Sequence, residues 1–172
     1  VEEFNGLLQD VIEEISARSQ QSAQKTTRLM LYGSVCDDFS LIQLAEENNA
    51  YVVIDDTCIG TRSFMQDVPE TADPLDGLVS AYFTSFLCPR TDRGAEGGRL
   101  QYIADLAKEY KANGVVMYIY PYCDPHKFDA PDVREFLKKE GLPSLIIDDD
   151  YTLTNLAAIR TRIQAFVELL SD

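Results

Sequence analysis

No run of 18 or more apolar residues occurs in the sequence, so no segment is expected to cross a membrane. No charged-then-apolar leader opens it, so no signal peptide is visible and a cytoplasmic location is the expectation. Positive charge is scarce: 15 Lys and Arg stand against 29 Asp and Glu, a formal net charge of −14. A polyanion needs a basic stripe to bind, and none is evident, so no nucleic acid and no anionic membrane is expected as a partner. There are four cysteines, Cys36, Cys58, Cys88 and Cys123, and no CxxC pair, which leaves a zinc ribbon or a thioredoxin-type site without support. Three motifs are also missing. Without GxGxxG the dinucleotide fingerprint fails, and without a P-loop the chain does not hydrolyse ATP by that route. Without GxSxG a Ser-His-Asp triad has no anchor.

What remains is ordinary globular material. The 172 residues suggest one domain, and 45% apolar with 26% charged residues matches a chain that builds a core without disulfides. The first residue is Val, which reads as a chain processed or cut from something longer. Residues 1–18 place Phe4, Leu7, Leu8, Val11, Ile12 and Ile15 at helical spacing over an acidic back, a leading amphipathic helix. A polar connector, residues 19–27, follows it.

From residue 28 to 172 the pattern alternates. Short apolar strands are expected at 28–32 (RLMLY), 51–54 (YVVI), 114–120 (GVVMYIY) and 144–147 (SLII). Helices are expected at 38–49, from Asp73-Pro74 onward, at 100–111, at 130–140 and at 155–170. Asp73 suits a cap and Pro74 the first helical position. The alternation predicts an α/β fold: a Rossmann-like, three-layer domain with a four-stranded parallel sheet and helices on both faces.

In such sheets ligands bind beyond the carboxyl ends of the strands. Those ends carry Gly33-Ser34 with Cys36, Asp55-Asp56 with Cys58 and Arg62, and Pro121-Tyr122-Cys123-Asp124-Pro125-His126. Thiolates are soft ligands that suit zinc or iron–sulfur groups, and helix N-termini lower thiol pKa. A scattered cytosolic cysteine is otherwise a small buried apolar residue, which is the plain alternative for Cys36 and Cys58. Cys123 stands out because prolines on both sides fix its bend. His126 has the pKa range of a general acid or base, or it is a solvent-facing loop residue.

Four strings occur in order: residues 54–62 (IDDTCIGTR), 122–126 (YCDPH), 141–145 (GLPSL) and 161–168 (TRIQAFVE). Together they resemble the C-terminal half of a subunit of the 2-hydroxyacyl-CoA dehydratase family, which includes the ATP-dependent benzoyl-CoA reductase subunits. The resemblance runs from about Arg28 to Leu170. It implies that residues 28–172 are the C-terminal α/β domain of a dehydratase-type subunit whose N-terminal domain is absent from this sequence.

It also implies a [4Fe–4S] cluster in the full-length subunit, held by three cysteines. One belongs to the Cys-Asp-Pro motif, here Cys123, and the other two come from the N-terminal domain. A cluster held by Cys123 with Cys58 and Cys36 is the weaker alternative, and the fragment alone is expected to lack the cluster and to be inactive. Family enzymes of anaerobes receive one electron from an ATP-dependent activator protein and pass it to an acyl-CoA, whose ketyl radical loses its 2-hydroxyl as water. They work as heterodimers of homologous subunits. Under this reading Arg62 and the Cys58 loop line the site, His126 and Arg62 are the catalytic candidates, and Arg90 and Arg93 would meet CoA phosphates. The competing readings are a benzoyl-CoA reductase-type subunit, a cluster-free α/β binding module, and a zinc or redox thiol protein.

Overall fold

A computed structural model describes residues 1–18, 26–84, 88–89, 98–149 and 155–171. The chain order begins with helix α1 (Glu2–Ala17), strand β1 (Thr27–Gly33), helix α2 (Ser40–Glu47) and strand β2 (Ala50–Thr57). Helix α3 (Pro74–Val79) runs on into a π-helical turn, Ser80–Thr84. Then come α4 (Gly98–Glu109), β3 (Gly114–Ile119), α5 (Asp124–Lys139), β4 (Ser144–Asp148) and α6 (Leu156–Ser171).

All four strands are parallel, in the order β2-β1-β3-β4. β1 is buried on both faces, and its side chains alternate between two cores. Leu29 and Leu31 point into a cluster with Leu41, Leu44, Ile163 and Phe166, from α2 and α6. Met30 and Tyr32 point into a second cluster with Ile103, Leu106, Val133 and Leu137, from α4 and α5. Full burial of each such side chain stabilises the fold by about 1.5–3 kcal/mol. Helices on opposite faces are what two right-handed crossovers running opposite ways from β1 require. The three-layer α/β architecture expected from the alternation is therefore the one observed.

Strand β2 carries one extra residue: Leu29 pairs with Val52 but Met30 pairs with Ile54, a bulge at Val53. Beyond it Leu31 pairs with Asp55, Tyr32 with Asp56 and Gly33 with Thr57. The two aspartates thus belong to the strand, not to a loop after it, which corrects the shorter strand expected at 51–54. Acids are tolerated in the ladder because each carboxylate is bonded by residues just downstream.

The second correction concerns α5. The spacing predicts a helix from residue 130, with Pro131 in its first turn, but the helix begins at Asp124 and carries Pro131 inside it. Cys123 is its N-cap residue and Pro125 occupies its first turn, where a missing N–H costs nothing. His126 is accordingly not a loop residue facing solvent. It lies in the first turn and is 2% exposed.

The cap expected of Asp73 is present, its carboxylate accepting the Leu75 N–H at 3.0 Å. Helix α1 is amphipathic as expected, and its apolar stripe, Phe4 to Ile15, is exposed. No helix among the described residues is long and apolar enough to cross a membrane.

Candidate functional site

Strand order reverses between β1 and β3, and the loops leaving these two strands diverge there. Ser34 N–H donates to the Tyr118 carbonyl at 2.8 Å, and the Tyr120 N–H donates to Ser34 Oγ at 3.2 Å. Gly33 makes this closeness possible: its φ is +138°, and a Cβ there would lie 2.0 Å from the Tyr118 carbonyl oxygen.

Asp55 and Asp56, adjacent in β2, face opposite sides of the sheet. Asp55 closes a local turn. Its carboxylate accepts from Thr57 Oγ1 at 2.7 Å, from Thr61 Oγ1 at 2.6 Å and from both backbone N–H groups. Burial opposes its ionisation, but the Thr61 and Thr57 hydrogen bonds win and hold its pKa below the ordinary value. Asp56 is fully buried and grips Arg62, taking Nε at 2.9 Å and Nη2 at 2.8 Å. Nη2 also donates to the Asp56 carbonyl at 2.6 Å. Burial works against the Arg62 charge, yet the Asp56 bonds and charge raise its pKa, so it is permanently cationic.

Arg62 is held on a 3-10 turn, Thr61–Ser63, and stacks on the Tyr32 ring with Cζ 5.7 Å from the centroid. Its remaining terminal nitrogen, Nη1, donates to Cys58 Sγ at 3.8 Å. Cys58 Sγ also meets the Gly33 carbonyl and His126 Nε2, each at 3.7 Å. His126 is edge-on to Tyr32, 5.3 Å between centroids, and its Nδ1 is buried without a hydrogen-bond partner. With the thiol proton on the Gly33 carbonyl, Nε2–H donates to sulfur and Nδ1 keeps a bare lone pair, the cheaper way to leave that atom unpaired. Behind them Arg99 donates to the Tyr32 hydroxyl at 2.9 Å and pairs with Asp129.

Protonation states follow from this packing. Burial, helped by the Arg62 and Arg99 charges, pushes His126 down to about 3, so the imidazole is neutral at physiological pH. Burial also raises the Cys58 thiol; Arg62 pulls it back, while Cys88, Cys123 and Asp56 push it further up. Cys88 and Cys123 are therefore close enough to act on Cys58. Cys36 belongs elsewhere: it packs against the α2/α6 core and meets the Asp38 carbonyl at 3.7 Å. Burial and the nearby Asp37, Asp38 and Asp55 push it up to about 11.

Of the residues singled out from sequence, the fold brings Cys58, Arg62 and His126 into contact and places Cys123 three residues before His126 at the same helix end. Arg90 and Arg93 lie outside the described residues. Among the described residues no three His, Cys, Asp or Glu side chains form a group that would hold a metal ion. Cys36, Cys58 and Cys123 do not form such a set.

Sequence reasoning missed Tyr32, Cys88, Arg99 and Asp129. One signal was available: Arg99 shares the apolar stripe of α4 with Ile103 and Leu106, a phase at which a charge must find a buried partner.

The fold is thus a parallel α/β sheet whose thiol-rich, arginine-backed rim lies at the strand ends beside the switch point, where open α/β sheets bind ligands. The sequence model of the 2-hydroxyglutaryl-CoA dehydratase D-component matches residues 1–170, and the chain belongs to that family. It is 33% identical over 143 residues to the (R)-phenyllactyl-CoA dehydratase beta subunit of Clostridium sporogenes, covering 83% of this chain and 38% of that protein. With the beta subunit of (R)-2-hydroxyglutaryl-CoA dehydratase from Acidaminococcus fermentans it shares 24% identity over 149 residues, again 83% and 38%. It is 27% identical over 150 residues to one of the subunits of benzoyl-CoA reductase from Thauera aromatica, with the same coverage. The chain spans about two-fifths of the length of these relatives. The family named from the four sequence strings is the family found.

Proposed function

We propose that this chain is the C-terminal α/β domain of an iron–sulfur 2-hydroxyacyl-CoA dehydratase subunit, and that Cys123 supplies one ligand to its cluster. The observation that carries this reading is the placement of Cys123. It is half-buried, it caps the 16-residue helix α5 without a side-chain cap hydrogen bond, and it stands at the strand-end rim. The first-turn N–H groups of a helix lack intrahelical partners and carry its positive end, which favours an anionic group held there. The residues present fit a one-ligand contribution: one well-placed thiol and no complete donor set among the described residues. The remaining ligands would come from the rest of the subunit. When bound, a [4Fe–4S] group supplies one-electron transfer to an acyl-CoA thioester.

The other rim residues have roles in this reading that follow from their surroundings. Asp56 fixes Arg62, Arg62 and Tyr32 wall the rim, and neutral His126 steadies the Cys58 sulfur. His126 remains a catalytic candidate of this reading through Cys58 only, as a neutral hydrogen-bond donor, because an imidazole pushed down to about 3 is a poor base at physiological pH. Arg90 and Arg93 remain the candidates for CoA phosphates. The partners under this reading are a homologous second subunit, an ATP-dependent activator protein and the acyl-CoA, in the cytoplasm. The similarity to the benzoyl-CoA reductase protein supports ring reduction as the second reading of the same site.

The test is iron and acid-labile sulfide content of the full-length subunit, prepared anaerobically, with and without Cys123→Ala. Loss of cluster in the variant is expected. Undiminished iron and sulfide would remove the ligand role, and zinc in their place would favour a thiol–zinc protein instead.

A further inference from the structure

The Asp56–Arg62 pair is the most deeply buried ion pair among the described residues, with side chains 0% and 2% exposed. Stability alone is a weak reason for it, since hydrophobic replacements of such pairs are often as stable or more so. Its orientation suggests another use. Asp56 occupies Nε and Nη2 from behind, so the pair is a fixed dipole whose positive end, Nη1, faces the Cys58 sulfur. Cys58 in turn touches His126 in the first turn of α5, the helix that Cys123 caps. His126 is neutral and adds no charge that would offset the dipole.

We propose that Arg62, positioned by Asp56, raises the reduction potential of the iron–sulfur group that Cys123 would hold. This rests on the ligand role of Cys123 proposed above. An electron added at the rim meets the positive end of the dipole through a medium less polarisable than water, where a fixed charge acts strongly. Nearby charge and hydrogen bonds to sulfur are general determinants of cluster potential. Arg62 is a positioning and field-setting residue, not one that touches the reacting atoms.

The experiment is a spectroscopically monitored redox titration of the anaerobic full-length subunit, with iron content measured on each sample. The double variant D56N/R62Q replaces the ion pair by two amides, a substitution that leaves no buried charge unpaired. It is expected to keep its iron and to disfavour reduction at least tenfold, a downward shift of about 59 mV or more for one electron. Asp56→Asn alone leaves the cation uncompensated and is expected to shift the potential upward. Arg62→Lys keeps the charge and is expected to stay closer to wild type than the double variant. Unchanged potentials in iron-loaded variants would overturn the proposal. So would loss of iron from D56N/R62Q together with loss of the folded state, which would assign the pair to the fold alone. Full iron in Cys123→Ala is a separate outcome, and it removes the premise.

Discussion

His126 directs Nε2 at the sulfur of Cys58, 3.7 Å away, and so ties the segment after β2 to the first turn of α5. The two residues are 68 positions apart, and each is the other's link to a different strand end. Because the imidazole is buried and neutral, this link is sensitive to acid.

Acid sensitivity has a definite sign. His126 titrates near its ordinary value of 6.5 in the unfolded chain and at about 3 in the folded one, so the unfolded state binds the extra proton between those limits. Its contribution to stability is complete above about pH 6.5 and is lost as pH falls toward 3, with a slope approaching about 1.4 kcal/mol per pH unit. His126→Gln should flatten that part of a plot of urea midpoint against pH. A variant that tracks wild type between pH 6.5 and 4 would show that the imidazole is not kept neutral.

Removing one partner of the buried pair should be far worse than removing both. Arg62→Met strands the Asp56 carboxylate at a site with no exposure, a loss of about 3–5 kcal/mol. D56N/R62Q should recover most of that loss. Urea denaturation of wild type, Asp56→Asn, Arg62→Gln and the double variant completes the cycle that measures the coupling, and additive losses would contradict it.

Two glycines with positive φ should respond unequally to alanine. Gly141 has φ of +74° and open space where a Cβ would go, so Gly141→Ala costs only backbone strain of about 1 kcal/mol. Gly33→Ala adds a clash with the Tyr118 carbonyl, at the point where the loops after β1 and β3 part. Its loss should be at least twice as large, and it should disturb the rim. Thermal melts compare the stabilities, and the intensity of the Cys58–His126 region in an NMR spectrum reports the disturbance.

The thiol of Cys36 should be slow toward alkylating reagents at pH 8, because only the thiolate reacts and its pKa is pushed up to about 11. Asp37→Asn removes one of the charges responsible and should speed the reaction severalfold. Peptide mass spectrometry after a timed exposure gives the rate, and an unchanged rate would argue that burial alone governs it.

Much of this fold is written locally. Four apolar strands and the helices between them follow from periodicity, and the Asp73-Pro74 start of α3 follows from capping chemistry. The failures also have local causes. The spacing reads as a helix from Ala130, and only the buried His126 face shows that α5 starts six residues earlier. Asp55 and Asp56 read as the end of a strand because acids are poor ladder residues without partners. Their partners, Thr61 and Arg62, become visible only when the chain turns back. The motif strings pointed to Cys58, Arg62 and Cys123, but nothing local connects Tyr32 to Arg99, which is 67 residues away.

The extra residue at Val53 decides which acid serves which side of the sheet. Were the same sequence threaded through an unbroken ladder, Asp55 would stand opposite Tyr32, and Asp56 opposite Gly33. The guanidinium would then find a threonine-bound carboxylate in place of its own. The phase of the two acids is thus set upstream of them. Deleting Val53 would straighten the strand and keep each acid opposite its present neighbour. Inserting a residue after Ile54 would instead exchange the wiring of the two faces while leaving the rim residues themselves unaltered, a loss of function that no inspection of those residues would reveal.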